Sequence, residues 1–309
     1  MDVQLELNKT KGFKHLELLA RQVVEGFISG MHKSPFHGFS AEFAEHKIYN
    51  NGESTKHIDW KLFAKTDRLY TKRYDEETNL RCHLIIDNSA SMHYPKLDHL
   101  DYQSLNKSAF TALASAALMQ MLKKQRDAVG LSIYSDNYEV YRPEKGSERH
   151  YQELFHELNK MVTQSPKATP TATYKYLHQI AEKTHRRSLI FLFTDMFQTL
   201  EQDQKLFEAL RHLKHNKHEV VLFHVIDKTK EIELEFEDGP KRFEDVETGE
   251  VVKLYPEHVK DNYKNTTSNY IKAIKQTCIQ DQIKYVEADI NDGFYAILNT
   301  FMVERQKFI

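Results

Sequence analysis

Glycine is scarce in this chain, with ten in 309 residues, and no two lie closer than Gly26 and Gly30. A dinucleotide fingerprint needs glycines two and three apart, and a phosphate-cradling P-loop needs a pair five apart followed by lysine, so neither can be drawn. The nucleophile elbow of hydrolases needs Gly-x-Ser-x-Gly, and the one pair with that gap encloses Ile28. Cysteine is scarcer still: Cys82 and Cys278 are too few for a disulfide framework and read as reduced, buried thiols. No apolar run reaches 18 residues, and the first eleven positions lack the apolar stretch of a secretory signal. Neither sign of charge dominates, since 43 basic side chains meet 45 acidic ones, interleaved, for a net −2. No basic stripe offers itself to nucleic acid or an anionic membrane. The expectation is a soluble, cytoplasmic protein without membrane insertion. Its 40% hydrophobic content suffices for a continuous core in one large domain or two modest ones.

What is present is a rhythm. Residues 14–29 carry Leu16, Leu19, Val23 and Phe27 at helical spacing, and a loop follows. Positions 39–78 are aromatic and charged, ending in a stretch from Arg68 to Tyr74 that alternates as a half-exposed strand. Beyond Asn79, apolar runs at 82–86, 129–134, 189–193, 220–226 and 285–288 alternate with helical patterns at 104–124, 147–161, 173–183, 200–213 and 257–280. Unbroken Val/Ile/Leu/Phe runs mean strands covered on both faces, so the expected class is α/β, a mostly parallel sheet flanked by helices. The stretch 138–142 follows its predecessor through a tight link and should form an antiparallel edge hairpin. A small β insertion is expected near 231–255, where residues 231–237 read as an acidic, solvated strand. The division expected is an N-terminal helix and strand extension over 1–78, packing on a main domain over 79–309.

The chemistry concentrates where the first parallel strand ends, in Asp87, Asn88, Ser89, Ala90, Ser91. One carboxylate and two hydroxyls in a single loop supply hard oxygen ligands that suit Mg²⁺ or Mn²⁺. Alternatively, Asp and Ser there merely cap the next helix. Further oxygens stand in the threonine-rich loop 168–173 and in Thr194 and Asp195, which end the 189–193 run. In open α/β sheets ligands collect where the winding direction reverses, which would bring Asp87 and Asp195 face to face.

This arrangement resembles the metal-ion-dependent adhesion site of von Willebrand factor A domains. With Phe39-Ser40-Ala41-Glu42-Phe43, Tyr49-Asn50-Asn51-Gly52-Glu53, Ile58-Asp59-Trp60, Arg68-Leu69-Tyr70 and the acidic turn 245–250, the chain resembles the bacterial family of domain of unknown function 58, whose members carry such a von Willebrand factor A-like (Rossmann-like) domain. The resemblance implies a metal set of Asp87, Ser89 and Ser91 in the first loop, Thr171 in the second and Asp195 in the third. Thr171 is preferred to Thr169 and Thr173 by its register, six positions before Leu177.

An adhesion-type site leaves one coordination position for a partner's carboxylate, so the expected function is non-enzymatic protein binding with Mg²⁺ or Mn²⁺ as cofactor. The family resemblance further implies an adaptor or chaperone-like role beside a MoxR-type AAA+ ATPase. The alternative is a Mg²⁺-dependent phosphohydrolase with Asp87 as nucleophile, although that chemistry wants a second carboxylate at position 89, where serine stands. Two other features read as structural. Ile58-Asp59-Trp60 with Arg68 suggests a tryptophan buried under the sheet edge and Asp59 paired with an arginine. His212, His215 and His218 could face Zn²⁺ but lack a fourth ligand nearby and read as a solvated helix end.

Overall fold

The computed structural model describes residues 16–31, 45–49, 59–73, 80–97, 104–135, 138–163, 173–196, 200–245 and 249–308. Along the chain these form α1 (Leu16–Met31), β1 (Glu45–Ile48), α2 (Trp60–Thr66), β2 (Tyr70–Arg73), β3 (Arg81–Asp87), α3 (Lys107–Lys124), β4 (Ala128–Tyr134), β5 (Tyr138–Lys145), α4 (Glu148–Thr163) and α5 (Thr173–Lys183). Then come β6 (Leu189–Thr194), α6 (Leu200–His215), β7 (Glu219–Ile226), β8 (Lys241–Glu244), β9 (Val251–Leu254), α7 (Pro256–Gln280), β10 (Lys284–Asp289) and α8 (Tyr295–Arg305).

Six strands join in the order β10-β7-β6-β3-β4-β5, parallel throughout except for β5, which turns back along β4 as an antiparallel edge. The apolar runs explain this arrangement. β3, β4, β6 and β7 are buried almost end to end, which requires cover on both faces. On one face α1, α3, α4 and α8 pack through Leu19, Phe110, Leu154 and Phe301; on the other, α5, α6 and α7 pack through Leu177, Leu210 and Ile274. Helix α3 lies in the middle of its layer and is buried on nearly every side, so its pattern is apolar all round. Asn106 starts it by accepting the Ala109 N–H at 2.8 Å.

The expected mostly parallel α/β class and the β5 hairpin are present. Two expectations are corrected. The acidic stretch starting at Glu231 is not a strand: Lys228–Ile232 is a π-helical turn capped by Asp227, and the insertion's strands are β8 and β9, an antiparallel pair further on. Trp60 is not buried but 62% exposed, because α2 is seven residues long and buries none of them. Asp59 serves as its N-cap, accepting from the Lys61 and Leu62 N–H groups. Helix α8 is an addition with no counterpart in the sequence pattern. No helix among the described residues is long and apolar enough to cross a membrane.

Candidate functional site at the carboxyl rim of the sheet

Strand order fixes where a site can form. From β3 the chain moves to β4 on one side, whereas β6 lies on the other and leads away to β7 and β10. The winding direction therefore reverses between β3 and β6, and the loops leaving these neighbours splay apart to leave a crevice. Asp87 ends β3 and Asp195 follows β6, so both acids stand at this crevice.

The β3 loop folds around its own aspartate. Asp87 Oδ1 accepts the Ser89 N–H at 2.9 Å and Oδ2 accepts the Thr194 hydroxyl from the neighbouring strand, also at 2.9 Å. This local turn sends the Ser89 and Ser91 side chains to the same point, with their Oγ atoms 3.0 Å apart. Asn88 anchors the far side, its backbone N–H donating to the Tyr134 carbonyl and its amide to Glu139. Asp87, Ser89 and Asp195 are buried, and Ser91 is only partly so.

Asp195 is held by its surroundings more than by its own loop. Ser91 and Lys107 both hydrogen-bond its carboxylate, and His224 Nε2 lies 2.7 Å from its carbonyl oxygen. Tyr270 donates to the carbonyl of Met196, a residue in the left-handed region at φ 57°. Burial pushes His224 down to about 4. It is therefore neutral, donating from Nε2 to Asp195 and accepting the Tyr285 hydroxyl at Nδ1.

Lys107 and Glu231 complete the cluster, and sequence reasoning missed both. The fully buried Lys107 Nζ lies 3.0 Å from Asp195 Oδ2 and 2.6 Å from Glu231 Oε1. A lysine opening a helix and a glutamate in an acidic run read as solvated side chains, so no local signal marks them. Burial raises Asp87 to about 7, with the nearby Asp195 charge adding to it. Burial also opposes ionisation of Asp195, but Lys107 outweighs it and holds that carboxyl below its usual range. Glu231 is pushed up by burial against the pull of Lys107. Fully ionised, Asp87, Asp195 and Glu231 would carry three negative charges against the one ammonium of Lys107, which is bonded to Asp195 and Glu231.

Of the five predicted metal-site residues, Asp87, Ser89, Ser91 and Asp195 come together, while Thr171 lies outside the described residues. Among the described residues no group of three or more His, Cys, Asp or Glu side chains forms a ready-made metal cage. The set here is different: two carboxylates, two hydroxyls and an excess of negative charge. Hard oxygens with that charge fit a small divalent cation better than a soft one.

A second polar constellation lies on the same sheet. His83 on β3 places Nδ1 2.5 Å from Glu144 Oε1 and Nε2 2.8 Å from Ser132 Oγ, the order of a serine–histidine–acid relay. Ser132 and His83 are wholly buried, so no substrate carbonyl can reach the hydroxyl. The imidazole fits because β4 has Gly130 opposite it: a Cβ there would come within 2.4 Å of His83 Nδ1. Of the three histidines read as a solvated helix end, His212 faces His178, and His218 is a correction. It is buried, and its Nδ1 accepts the Ser188 N–H at 3.2 Å.

Curated relatives include uncharacterized proteins of Mycobacterium tuberculosis strain H37Rv and Mycobacterium bovis, each 28% identical over 79 residues, covering 26% of this chain. The alignment covers 25% of the length of those relatives. Solved structures with a similar chain path include BatB from Bacteroides thetaiotaomicron (TM-score 0.45, 13% identity, 74% of this chain and 98% of that one). An aerotolerance-related membrane protein from Bacteroides fragilis is another (TM-score 0.44, 13% identity, 71% and 97%). The model of the family described as protein of unknown function DUF58 matches residues 45–272, about three quarters of the chain, and the chain belongs to that family.

Proposed function

We propose that this protein binds a divalent cation, Mg²⁺ or Mn²⁺, in the crevice between β3 and β6 and uses it to grip a carboxylate of a partner protein. In this reading the main domain is von Willebrand factor A-like and the crevice is its adhesion site. The observation that carries it is the meeting of Asp87 and Asp195, 108 positions apart in sequence, around the paired hydroxyls of Ser89 and Ser91 with more negative charge than Lys107 offsets. The ion would be held by Ser89, Ser91, Asp87 and Asp195, with Thr171 as a further oxygen. Bound there, it supplies positive charge to a partner's carboxylate and no bond-breaking chemistry. The chain's own residues do the rest: Thr194 and the Ser89 amide orient Asp87, while His224 and Tyr270 strap the backbone at 195–196 so that Asp195 keeps its position.

The partner we propose is a MoxR-type AAA+ ATPase, with this chain as adaptor. A phosphohydrolase with Asp87 as nucleophile has less support, because that chemistry wants a second carboxylate at position 89, where serine stands. The test is Mn²⁺ binding followed by electron paramagnetic resonance, in wild type, Ser89→Ala and Asp195→Asn, beside pulldown of the purified ATPase with Mg²⁺ or with EDTA. Saturable binding and Mg²⁺-dependent capture, both lost in the variants, are expected. Absence of binding at millimolar Mn²⁺, or phosphomonoester turnover abolished by Asp87→Ala, would overturn the reading.

A further inference from the structure

Lys107 is a costly residue where it stands. Its side chain is fully buried, and its place as the first residue of α3 sets an ammonium at the positive end of a helix dipole. What offsets that cost is a pair of acceptors from two different elements: Asp195, after β6, and Glu231, in the π-helical turn after β7. Neither acceptor is loosely placed. Glu231 Oε2 accepts the Asp227 N–H at 2.7 Å, and its carbonyl accepts the Tyr263 hydroxyl of α7, also at 2.7 Å. A π-turn is a rare backbone choice that tends to accompany functional sites, and here it delivers a carboxylate to a lysine rather than to solvent.

We propose that Lys107 is a resident counter-cation of the acid cluster: it holds Asp195 in place when no divalent ion is bound, and it weakens the cluster's affinity for that ion. Glu231 is the seat that retains the ammonium when the charge of Asp195 is committed elsewhere. Lys107 is thus a positioning residue acting through Asp195, and it sets the concentration at which the site fills. The inference rests on the cation reading given above.

The geometry makes this device two-sided. A single ammonium donates to both carboxylates at once, so removing it leaves two carboxylates to each other, and removing Glu231 leaves the ammonium to Asp195 alone. Metal affinity should therefore move in opposite directions in the two cases. An ordinary structural ion pair would change stability in both and affinity in neither.

The experiment uses the full chain and MnCl₂, with binding read by electron paramagnetic resonance and melting temperature read in EDTA and in Mg²⁺. Lys107→Met is expected to bind Mn²⁺ at least tenfold more tightly than wild type, to melt lower in EDTA and to gain far more from Mg²⁺. Glu231→Gln is expected to bind several-fold more weakly. Lys284→Met removes the same charge at a distant ion pair with Glu304 and is expected to stay within twofold of wild type. If Lys107→Met does not fold in EDTA, the double variant Lys107→Met/Glu231→Gln, with its charge rebalanced, carries the measurement, and tighter Mn²⁺ binding than in Glu231→Gln is the supporting result. Wild type that binds Mn²⁺ together with a lysine variant that binds no tighter would overturn the inference. No binding by either wild type or Lys107→Met would overturn the cation reading itself.

Discussion

At the carboxyl ends of β3 and β6 three acids, hydroxyls and a lysine meet in a crevice; lower on the same β3, His83 meets Ser132 and Glu144 in a sealed interior. By residue type the sealed set looks the more catalytic. Yet burial is complete there, and Glu144 is held below its usual range because its contact with His83 outweighs burial. The crevice is the reverse: three acids to one ammonium, a carboxyl raised to about 7, and a partly exposed serine. A folded interior tolerates polar groups when they satisfy one another, and unmatched charge persists where something from outside completes it. Imbalance, more than residue identity, marks the site.

The largest expected effect tests the sealed side. His83→Leu leaves Glu144 and Ser132 buried without their partner, and urea unfolding should report a loss of about 3–5 kcal/mol, while Mn²⁺ binding per folded molecule stays unchanged. A loss below about 1 kcal/mol, or a change in Mn²⁺ binding, would break the distinction between the two regions. A smaller effect sharpens it through pH. Burial lowers His218 to about 4 from an ordinary 6.5, so the unfolded chain takes up that proton first. Its contribution is present in full above 6.5 and is lost as pH falls from 6.5 toward 4, by at most about 1.4 kcal/mol per unit. His218→Asn retains an acceptor for the Ser188 N–H and should flatten the difference in stability between pH 7.5 and pH 5; an unchanged acid limb would refute the burial argument. The smallest effect belongs to the exposed α2. Trp60→Ala should cost less than about 0.5 kcal/mol, and the wild-type fluorescence, from the single tryptophan, should be red-shifted and open to acrylamide. Blue-shifted emission that acrylamide barely quenches would show Trp60 covered.

The loop after β3 was legible in sequence because its oxygens stand two residues apart and follow an apolar strand, so one local turn suffices to bring them together. Asp195 was legible for the same reason, as the acid after a strand in an α/β rhythm. Thr171 was placed by resemblance, outside the described residues. Trp60 was misread because hydrophobicity alone says nothing of whether a short helix has anything to pack against. Lys107 and Glu231 were invisible: a lysine at the start of a helix and a glutamate in an acidic run look like surface charges.

Local pattern therefore determined the central strands, the flanking helices other than α8 and the chemistry offered at each strand end, because backbone periodicity and turn geometry act over a few residues. Only the tertiary structure decided which ends become neighbours. The hydrogen bonds from Lys107 to Asp195 and Glu231 span 88 and 124 positions, and their partners are set by strand order and burial, which depend on the packing of the whole sheet.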